Sequence, residues 1–309
     1  MIVVACPGQG SQTPGFLAPW LADSASRALV ERFSEVTGVD LIRHGTESDA
    51  ETIRDTAIAQ PLIVAASLLA LHALRAAAPD AVIGGIAGHS VGEAAAAAGA
   101  GILSEDDALR FVRARALLMA EAAAATPTGM SAVLGGDQDA VIEHITEFGL
   151  EPANYNGGGQ IVVAGALDAL GRLGEDPLRG TRVVPLQVAG AFHTHYMQPA
   201  RDGLEKVAAD FAVTDPALTI WTNRDGSVVD SGSEYLRLIV GQVASPVRWD
   251  LCMASFESAG ITGLIELTPG GALTGLAKRG LKGVPAVAIK TPDDLTAAVE
   301  LLAAAGSED

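Results

Sequence analysis

The chain has 309 residues and a formal net charge of −17, because 37 acidic side chains outnumber 20 basic ones. This charge argues against a nucleic-acid or anionic-membrane partner, since both require broad basic surfaces, and an acidic partner must use a local basic patch. Two cysteines without metal-like spacing, Cys6 and Cys252, are typical of a cytoplasmic protein, and the length suits one large domain or two modest ones.

The N-terminal segment predicts a buried strand, 2–6, which ends in the glycine-rich loop 7–12. It lacks the basic region of a signal peptide and breaks at proline and glycine after a few apolar residues. Helical patterns follow over 18–37 and 61–77, with Pro61 in the favoured first-turn position of the second helix. No stretch reaches the roughly 20 apolar residues of a membrane helix, so we expect a soluble protein.

The pentapeptide GHSVG, 88–92, lies between an apolar run, 81–87, and an alanine-rich helical run, 93–98. Its two glycines permit a strand-to-helix bend too tight for side chains, and this bend exposes the Ser90 hydroxyl at the start of the helix. The pattern therefore predicts a nucleophilic serine. The alternative is a turn whose serine merely caps the next helix.

A helix predicted over 104–124, with Ser104 as its cap, carries Arg115 on an otherwise apolar face. A guanidinium in such a place must be paired, because an unpaired charge in a low-dielectric environment is costly. Two interpretations stay open, an internal ion pair or a fork that awaits the carboxylate of a substrate.

From Gly129 the pattern changes to short segments in the order β-α-β-β-α-β, which is the ferredoxin-like order. We expect a small domain, 126–189, inserted into an α/β domain formed by 1–125 and 190–309. The small domain's predicted strands are 130–134, 152–156, 161–164 and 181–185, and its helices are 137–148 and 167–173. The predicted elements after it are helices 197–210, 234–243 and 249–259 and strands 218–222 and 263–267.

A nucleophilic serine needs a base, and the chain has six histidines. His193 and His195 lie where the chain leaves the small domain, a domain-interface position suited to a cleft. Their spacing does not choose between them. The backbone N–H groups of Val91 and Gln9 could stabilise an oxyanion, although the loop around Gln9 could equally be an ordinary strand-to-helix turn.

Seven motifs, in the same order along nearly the whole chain, resemble those of the malonyl-CoA:acyl-carrier-protein transacylases. They are PGQGSQ from Pro7, GHSVGE around Ser90, Arg115 followed by Met119, NYNGGGQIVVAG from Asn154, AFH ending at His193, GQVASPVRW from Gly241 and PGGALTGLAKR from Pro269. The resemblance implies an α/β-hydrolase-like large domain with an inserted ferredoxin-like small domain. It also implies transfer of a malonyl group from malonyl-CoA to the phosphopantetheine thiol of an acyl carrier protein, with no cofactor or metal.

By the same resemblance, Ser90 is the nucleophile and His193 is the base, which leaves His195 without a catalytic role. Arg115 would bind the malonyl carboxylate, and a carbonyl at Gln242 would orient the base. The other predicted substrate-binding residues are Gln9 and Val91, whose N–H groups form the oxyanion hole, and His89, Asn156 and Phe192. Phe192 would also favour malonyl over methylmalonyl groups by crowding the α-carbon.

Two other functions are weighed against this one. A serine esterase or thioesterase would add an acid between the serine and the histidine, but acids there such as Asp168 and Asp176 have the pattern of surface residues. A non-catalytic carrier-binding module would not need Ser90, His193 and Arg115 together. We further expect a monomer, and a docking patch for the acidic carrier formed by Lys278, Arg279 and Lys282, with Arg179 and Arg182 as the second candidate.

Overall fold

The computed structural model describes residues 1–188 and 190–306, so residue 189 at the predicted domain boundary and residues 307–309 lie outside the described residues. The described strands are β1 (Ile2–Cys6), β2 (Gly85–Gly88), β3 (Thr128–Leu134), β4 (Glu151–Gly157), β5 (Gln160–Ala166), β6 (Arg182–Pro185), β7 (Thr219–Ile220), β8 (Val247–Arg248), β9 (Gly263–Glu266) and β10 (Ala286–Ala288). The described α-helices are α1 (Ser24–Thr37), α2 (Leu41–Thr46), α3 (Thr56–Ala77), α4 (Gly92–Gly99), α5 (Glu105–Ala125), α6 (Gln138–Glu147), α7 (Leu167–Glu175), α8 (Gln198–Ala208), α9 (Gly232–Gly241), α10 (Trp249–Ser258), α11 (Ala272–Gly280) and α12 (Leu295–Gly306).

The first sheet has five parallel strands in the order β10-β9-β1-β2-β7. Its central strand β1 is buried along its whole length, which explains why its sequence is an uninterrupted apolar run. In the register of β1 with β2, Cys6 pairs with Gly88. The loop after β1 and the turn after β2 therefore meet at the carboxyl edge of the sheet, where ligands bind in folds of this kind.

The second sheet has the order β6-β3-β5-β4-β8. Its first four strands are antiparallel and come from one continuous β-α-β-β-α-β segment, as predicted, with a hydrophobic cluster of their own. The fifth strand, β8, comes from outside the predicted 126–189 segment and pairs in parallel with β4. The two parts of the chain are thus joined through a shared sheet edge.

Helix α3 begins five residues before the predicted start, at Thr56, with the Asp55 side chain as its cap. Pro61 therefore lies inside the helix, and the prediction that it occupies the first turn is wrong. A proline lacks the N–H that would bond the carbonyl four residues earlier, here that of Ala57. Nη1 of Arg113 donates to that carbonyl at 2.8 Å, so the carbonyl keeps a partner.

The same helix is long and apolar enough to cross a membrane by length and composition, with a mean hydropathy of 1.9 in its best window. The expectation that no stretch meets this criterion is wrong. However, 78% of that window is buried inside the protein, where α3 packs against α1, α4, α5 and α12. A core helix surrounded by other helices satisfies the same criterion.

Other element boundaries differ by a few residues from those predicted. The strand predicted over 81–87 is Gly85–Gly88, and the one predicted over 218–222 is only Thr219–Ile220. The helix predicted over 18–37 begins at Ser24, because the Asp23 side chain accepts the N–H of Ser26 and caps it there. Helix α2 was not predicted.

Candidate active site

Ser90 lies at the turn between β2 and α4, with a φ of 53°, in the left-handed region that non-glycine residues rarely adopt. The glycines on either side leave no room for side chains. A Cβ on Gly88 would lie 2.1 Å from the carbonyl carbon of Gly92, and one on Gly92 would lie 2.2 Å from the Cys6 oxygen. The tight strand-to-helix bend predicted from the sequence is therefore present, and it requires both glycines.

His193 is in contact with this serine, with 2.7 Å between Ser90 Oγ and His193 Nε2. The other ring nitrogen, Nδ1, lies 2.8 Å from the backbone oxygen of Gln242. Since a carbonyl can only accept, Nδ1 carries the proton and Nε2 is left to accept from the serine hydroxyl. Burial, followed by the charge of Arg115, lowers the pKa of His193 to about 3, so the imidazole is neutral at neutral pH.

The structure separates the two candidate bases. His195 is exposed, pairs with Glu151 and lies against the ring of Tyr196, so it is not part of the Ser90 site. The carbonyl at residue 242 predicted to orient the base is in contact with His193. Of these two histidines, His193 is the one in contact with Ser90.

Arg115 extends from α5 to the same place and is 2% exposed. Its Nη2 donates to Gln242 Oε1 at 2.9 Å and to Ser90 Oγ at 3.3 Å. Its Nη1 is buried without a hydrogen-bond partner, and no carboxylate of the described residues forms a salt bridge with this guanidinium. Burial lowers the pKa of Arg115 to about 10, while the nearby charge of Glu93 raises it. One donor edge of a buried cation beside the serine is therefore free.

The two backbone N–H groups predicted for the oxyanion hole are also free of partners among the described residues. Those of Gln9 and Val91 donate to no other residue in the described part of the chain, whereas the N–H of Ser90 itself donates to Asn223 Oδ1 at 2.7 Å. The pairing of β1 with β2 brings the Gln9 loop beside the serine. The Gln9 side chain turns to Thr56, 3.4 Å from its Oγ1. This arrangement is compatible with the predicted oxyanion hole.

Three predicted binding residues lie around this centre. His89 Nε2 is 2.9 Å from Asn156 Oδ1, and its ring packs edge-on against Trp249 at 5.6 Å. Because Asn156 is on β4, this bond connects the serine turn to the second sheet. Burial lowers the pKa of His89. Phe192 is 6% exposed and belongs to the main hydrophobic core, immediately before His193.

Sequence reasoning missed two polar residues at the site. Asn223 Oδ1 accepts the N–H of Ser90, and its Nδ2 donates to the Gly88 oxygen at 2.7 Å. Glu93 is 1% exposed and accepts from the Asn223 N–H at 2.7 Å and from the Gln242 side chain. Glu93 could have been noticed as the one charged residue of an alanine-rich helix, but nothing in the sequence around Asn223 points to the serine.

Within the described residues, no group of three or more histidine, cysteine, aspartate or glutamate side chains could hold a metal ion. The polar groups around Ser90 instead contact one another. The arrangement can do covalent acyl chemistry, because a neutral base contacts the serine hydroxyl and free N–H donors lie beside it.

Comparison with known proteins identifies the family. Residues 3–302 match the family described as acyl transferase domain. The chain belongs to this family. A relative from Mycobacterium bovis named malonyl CoA-acyl carrier protein transacylase is 49% identical over 96% of this chain and 98% of its own length. The acyltransferase is therefore an enzyme, as predicted.

Solved structures agree with this assignment. The crystal structure of MCAT from Mycobacterium tuberculosis has a TM-score of 0.93 at 48% identity, covering 98% of this chain and 99% of that one. A second structure, of a type II PKS acyl-carrier protein in complex with its malonyl-transacylase, has a TM-score of 0.91 at 30% identity, covering 97% and 99%. The acyltransferase shares the α/β fold of these proteins.

Proposed function

We propose that this acyltransferase moves a malonyl group from malonyl-CoA to the phosphopantetheine thiol of an acyl carrier protein. The observation that carries the proposal is the unpartnered Nη1 of Arg115, buried beside the Ser90 hydroxyl. An acyl group with a terminal carboxylate supplies the acceptor that this donor lacks, and charge-assisted pairs with arginine are strong. The names of the relatives support the same substrate and acceptor.

The first half-reaction transfers the acyl group to the enzyme. His193 Nε2 takes the hydroxyl proton as Ser90 Oγ attacks the thioester carbonyl, and the N–H groups of Gln9 and Val91 stabilise the oxyanion. The tetrahedral intermediate then expels the coenzyme A thiolate, which receives the proton from His193. A malonyl-serine ester remains, with its carboxylate paired to Arg115.

The second half-reaction reverses the first with another thiol. Neutral His193 takes the proton of the carrier's phosphopantetheine thiol, and the resulting thiolate attacks the malonyl-serine carbonyl. Ser90 leaves and regains the proton from His193. One thioester replaces another in this ping-pong cycle, so the balance of atoms and energy requires no cofactor.

The surroundings of His193 also weigh against the hydrolytic alternative. Its Nδ1 is held by the backbone oxygen of Gln242 rather than by a carboxylate, which supports a serine–histidine dyad over the triad of most esterases. Hydrolysis would give no function to Arg115, and a non-catalytic carrier-binding module would give none to the contact between Ser90 and His193.

We propose that the chain divides as predicted, into an α/β-hydrolase-like catalytic domain, 1–125 and 190–309, and a ferredoxin-like insert, 126–189. The order β6-β3-β5-β4 and the separate hydrophobic cluster of the second sheet support this division. The insert would contribute Asn156 to the cleft, while β8 secures it to the catalytic domain.

For the carrier protein we propose one basic docking surface that includes both predicted patches. It comprises five exposed residues, Arg179, Arg182, Lys278, Arg279 and Lys282, none of which forms a salt bridge with another described residue. Arg279 donates to Gln160 at 3.3 Å and packs over the turn between β4 and β5. In that turn the backbone oxygen of Gly159 accepts the N–H of Gly135, and Gly135 lies against Gly180, which follows Arg179 in the chain. The patch of Arg179 and Arg182 therefore adjoins the patch on α11.

The monomeric state, the cytoplasmic location and the absence of nucleic-acid or membrane partners stay predictions.

Intact mass measured after mixing the enzyme with malonyl-CoA, without carrier protein, tests the function. We expect a malonyl adduct that maps to Ser90 and disappears when a phosphopantetheinylated carrier is added, with malonyl-carrier as the product. Free malonate without a lasting adduct would support a thioesterase instead, and no change at all would support a binding module.

A further inference from the structure

A buried carboxylate lies behind the catalytic groups. Glu93 is in the first turn of α4, three residues after Ser90, and both of its oxygens accept hydrogen bonds. Oε1 accepts the backbone N–H of Asn223 at 2.7 Å, and Oε2 accepts from Nε2 of Gln242. Glu93 does not touch the serine hydroxyl or the base, so neither half-reaction uses it directly.

The contacts of Glu93 determine which way the amide of Gln242 faces. Three acceptors surround Gln242 Nε2: Oε2 of Glu93, the backbone oxygen of Ser90 at 3.0 Å and Oδ1 of Asn223 at 3.3 Å. A flipped amide would present an oxygen to all three. Because only the NH₂ group can donate, Gln242 Oε1 must face the other way, towards Arg115.

Arg115 depends on that oxygen. Gln242 Oε1 is the closest acceptor of its guanidinium, at 2.9 Å from Nη2, and this bond leaves Nη1 without a partner. The series Glu93, Gln242, Arg115 therefore connects a buried carboxyl group to a buried cation through one oriented amide. Burial raises the pKa of Glu93 to about 8, while its hydrogen bonds and the charge of Arg115 lower it.

We propose that Glu93 is a positioning residue that selects for carboxylated acyl groups, by holding the Gln242 amide in the orientation that aims Arg115 at the substrate carboxylate. This inference rests on the proposed function and adds to it a residue that contacts no substrate. Replacing Glu93 by glutamine turns one of its two acceptor oxygens into an NH₂ group, so only one of the two donors keeps an acceptor. When the backbone N–H of Asn223 keeps the oxygen, the new NH₂ group faces the NH₂ group of Gln242. The Gln242 amide then flips so that its oxygen accepts from the new NH₂ group, and its own NH₂ group turns towards Arg115.

The test compares Ser90 acylation by malonyl-CoA and acetyl-CoA, at a pH above the Glu93 pKa of about 8. For Glu93→Gln we expect the malonyl-to-acetyl ratio of acylation rates to fall roughly tenfold or more, the size of one hydrogen bond to a charged group. In the double variant Glu93→Gln/Arg115→Ala the ratio should equal that of Arg115→Ala alone, because Glu93 acts through Arg115.

Glu151→Gln is the matched control, since it removes an exposed carboxylate that pairs with His195, and its ratio should be that of the wild type. The proposal is overturned if Glu93→Gln slows acylation by malonyl-CoA and by acetyl-CoA equally, or if the two substitutions change the ratio additively in the double variant. Glu93 would then be a structural residue. If Glu93→Gln does not fold, Glu93→Asp carries the test. Its shorter side chain cannot reach both donors, so an unchanged ratio refutes the proposal. A wild-type enzyme that forms no malonyl adduct would refute the proposed function instead.

Discussion

The polar network around Ser90 and the basic surface around the β4–β5 turn differ in burial and in the way their charged groups interact. In the first, buried groups from the turn after β2, from α4 and α5 and from the segments near 193, 223 and 242 bond one another at fixed distances. In the second, exposed cations from α11 and the second sheet form no salt bridge within the described chain. Removing one member of a buried pair costs much free energy, because the other member is left buried without a partner. Exposed charges instead act over longer distances and are screened by salt.

The largest effect is expected at the dyad. Ser90→Ala should abolish both the malonyl adduct and transfer while the protein stays folded, because this hydroxyl does not pack in the core. His193→Ala should slow acylation by roughly 10²- to 10⁴-fold, the usual contribution of a general base. His195→Ala is the matched control and should have no effect. Stopped-flow acylation rates check this, and a larger loss in His195→Ala would mean that the base is wrongly assigned.

Arg115→Ala is expected to reduce malonyl transfer far more than acetyl transfer. Truncating one side of a buried charge pair costs roughly 2 to 5 kcal/mol, so the malonyl preference should fall by tens- to thousands-fold. Arg110→Ala, which removes an exposed arginine of the same helix, should keep the preference. Competition between the two acyl-CoA substrates measures it, and equal losses for both would indicate a purely structural arginine.

The low pKa of His193 predicts a pH-dependent stability. The folded protein binds this proton only near pH 3, while the unfolded chain binds it near the ordinary histidine value of 6.5. Acidification from 6.5 towards 3 therefore favours the unfolded chain, by at most about 1.4 kcal/mol per pH unit. Denaturant unfolding across this range should show a steeper loss of stability in the wild type than in His193→Ala, which keeps the contribution of buried His89. Parallel pH profiles for the two proteins would contradict a neutral buried base.

Phe192→Ser is expected to raise the use of methylmalonyl relative to malonyl groups. The effect should be modest, because one methyl group is worth only about 1 to 3 kcal/mol of discrimination in a pocket. A competition assay reports the ratio independently of the amount of folded enzyme, which matters for a residue that also packs in the core. An unchanged ratio would leave Phe192 with its packing role alone.

The smallest effect is expected on the basic surface. Charge reversal in Lys278→Glu/Lys282→Glu should raise the KM for the carrier protein by a few-fold without changing Ser90 acylation, and the wild-type KM should rise with salt. Lys206→Glu on α8 is the control for a lost positive charge elsewhere. Steady-state kinetics at two ionic strengths check this. A KM for the carrier protein that changes neither with salt nor in the double variant would mean that the carrier docks on another surface.

Much of the fold follows from local patterns. The apolar run of β1, the Ser104 cap of α5 and the β-α-β-β-α-β order were all predicted, and the structure contains them. The predicted starts of α1 and α3 were wrong because the local caps Asp23 and Asp55 were missed, whereas the place of Pro61 depends on a residue distant in sequence. Pro61 is tolerated inside α3 because Arg113 bonds the carbonyl that the proline leaves open, which no local rule could anticipate.

What the sequence by itself determined was the tight turn at Ser90, because the need for Gly88 and Gly92 beside it is a short-range steric requirement. Only the tertiary structure decided which histidine contacts the serine and which groups hold Arg115. The bond of Ser90 with His193 joins residues 103 positions apart, and that of Arg115 with Gln242 joins residues 127 positions apart. Such partners are brought together by the packing of the whole chain. Two histidines only two positions apart, His193 and His195, therefore differ in placement: the first contacts the serine and the second is exposed.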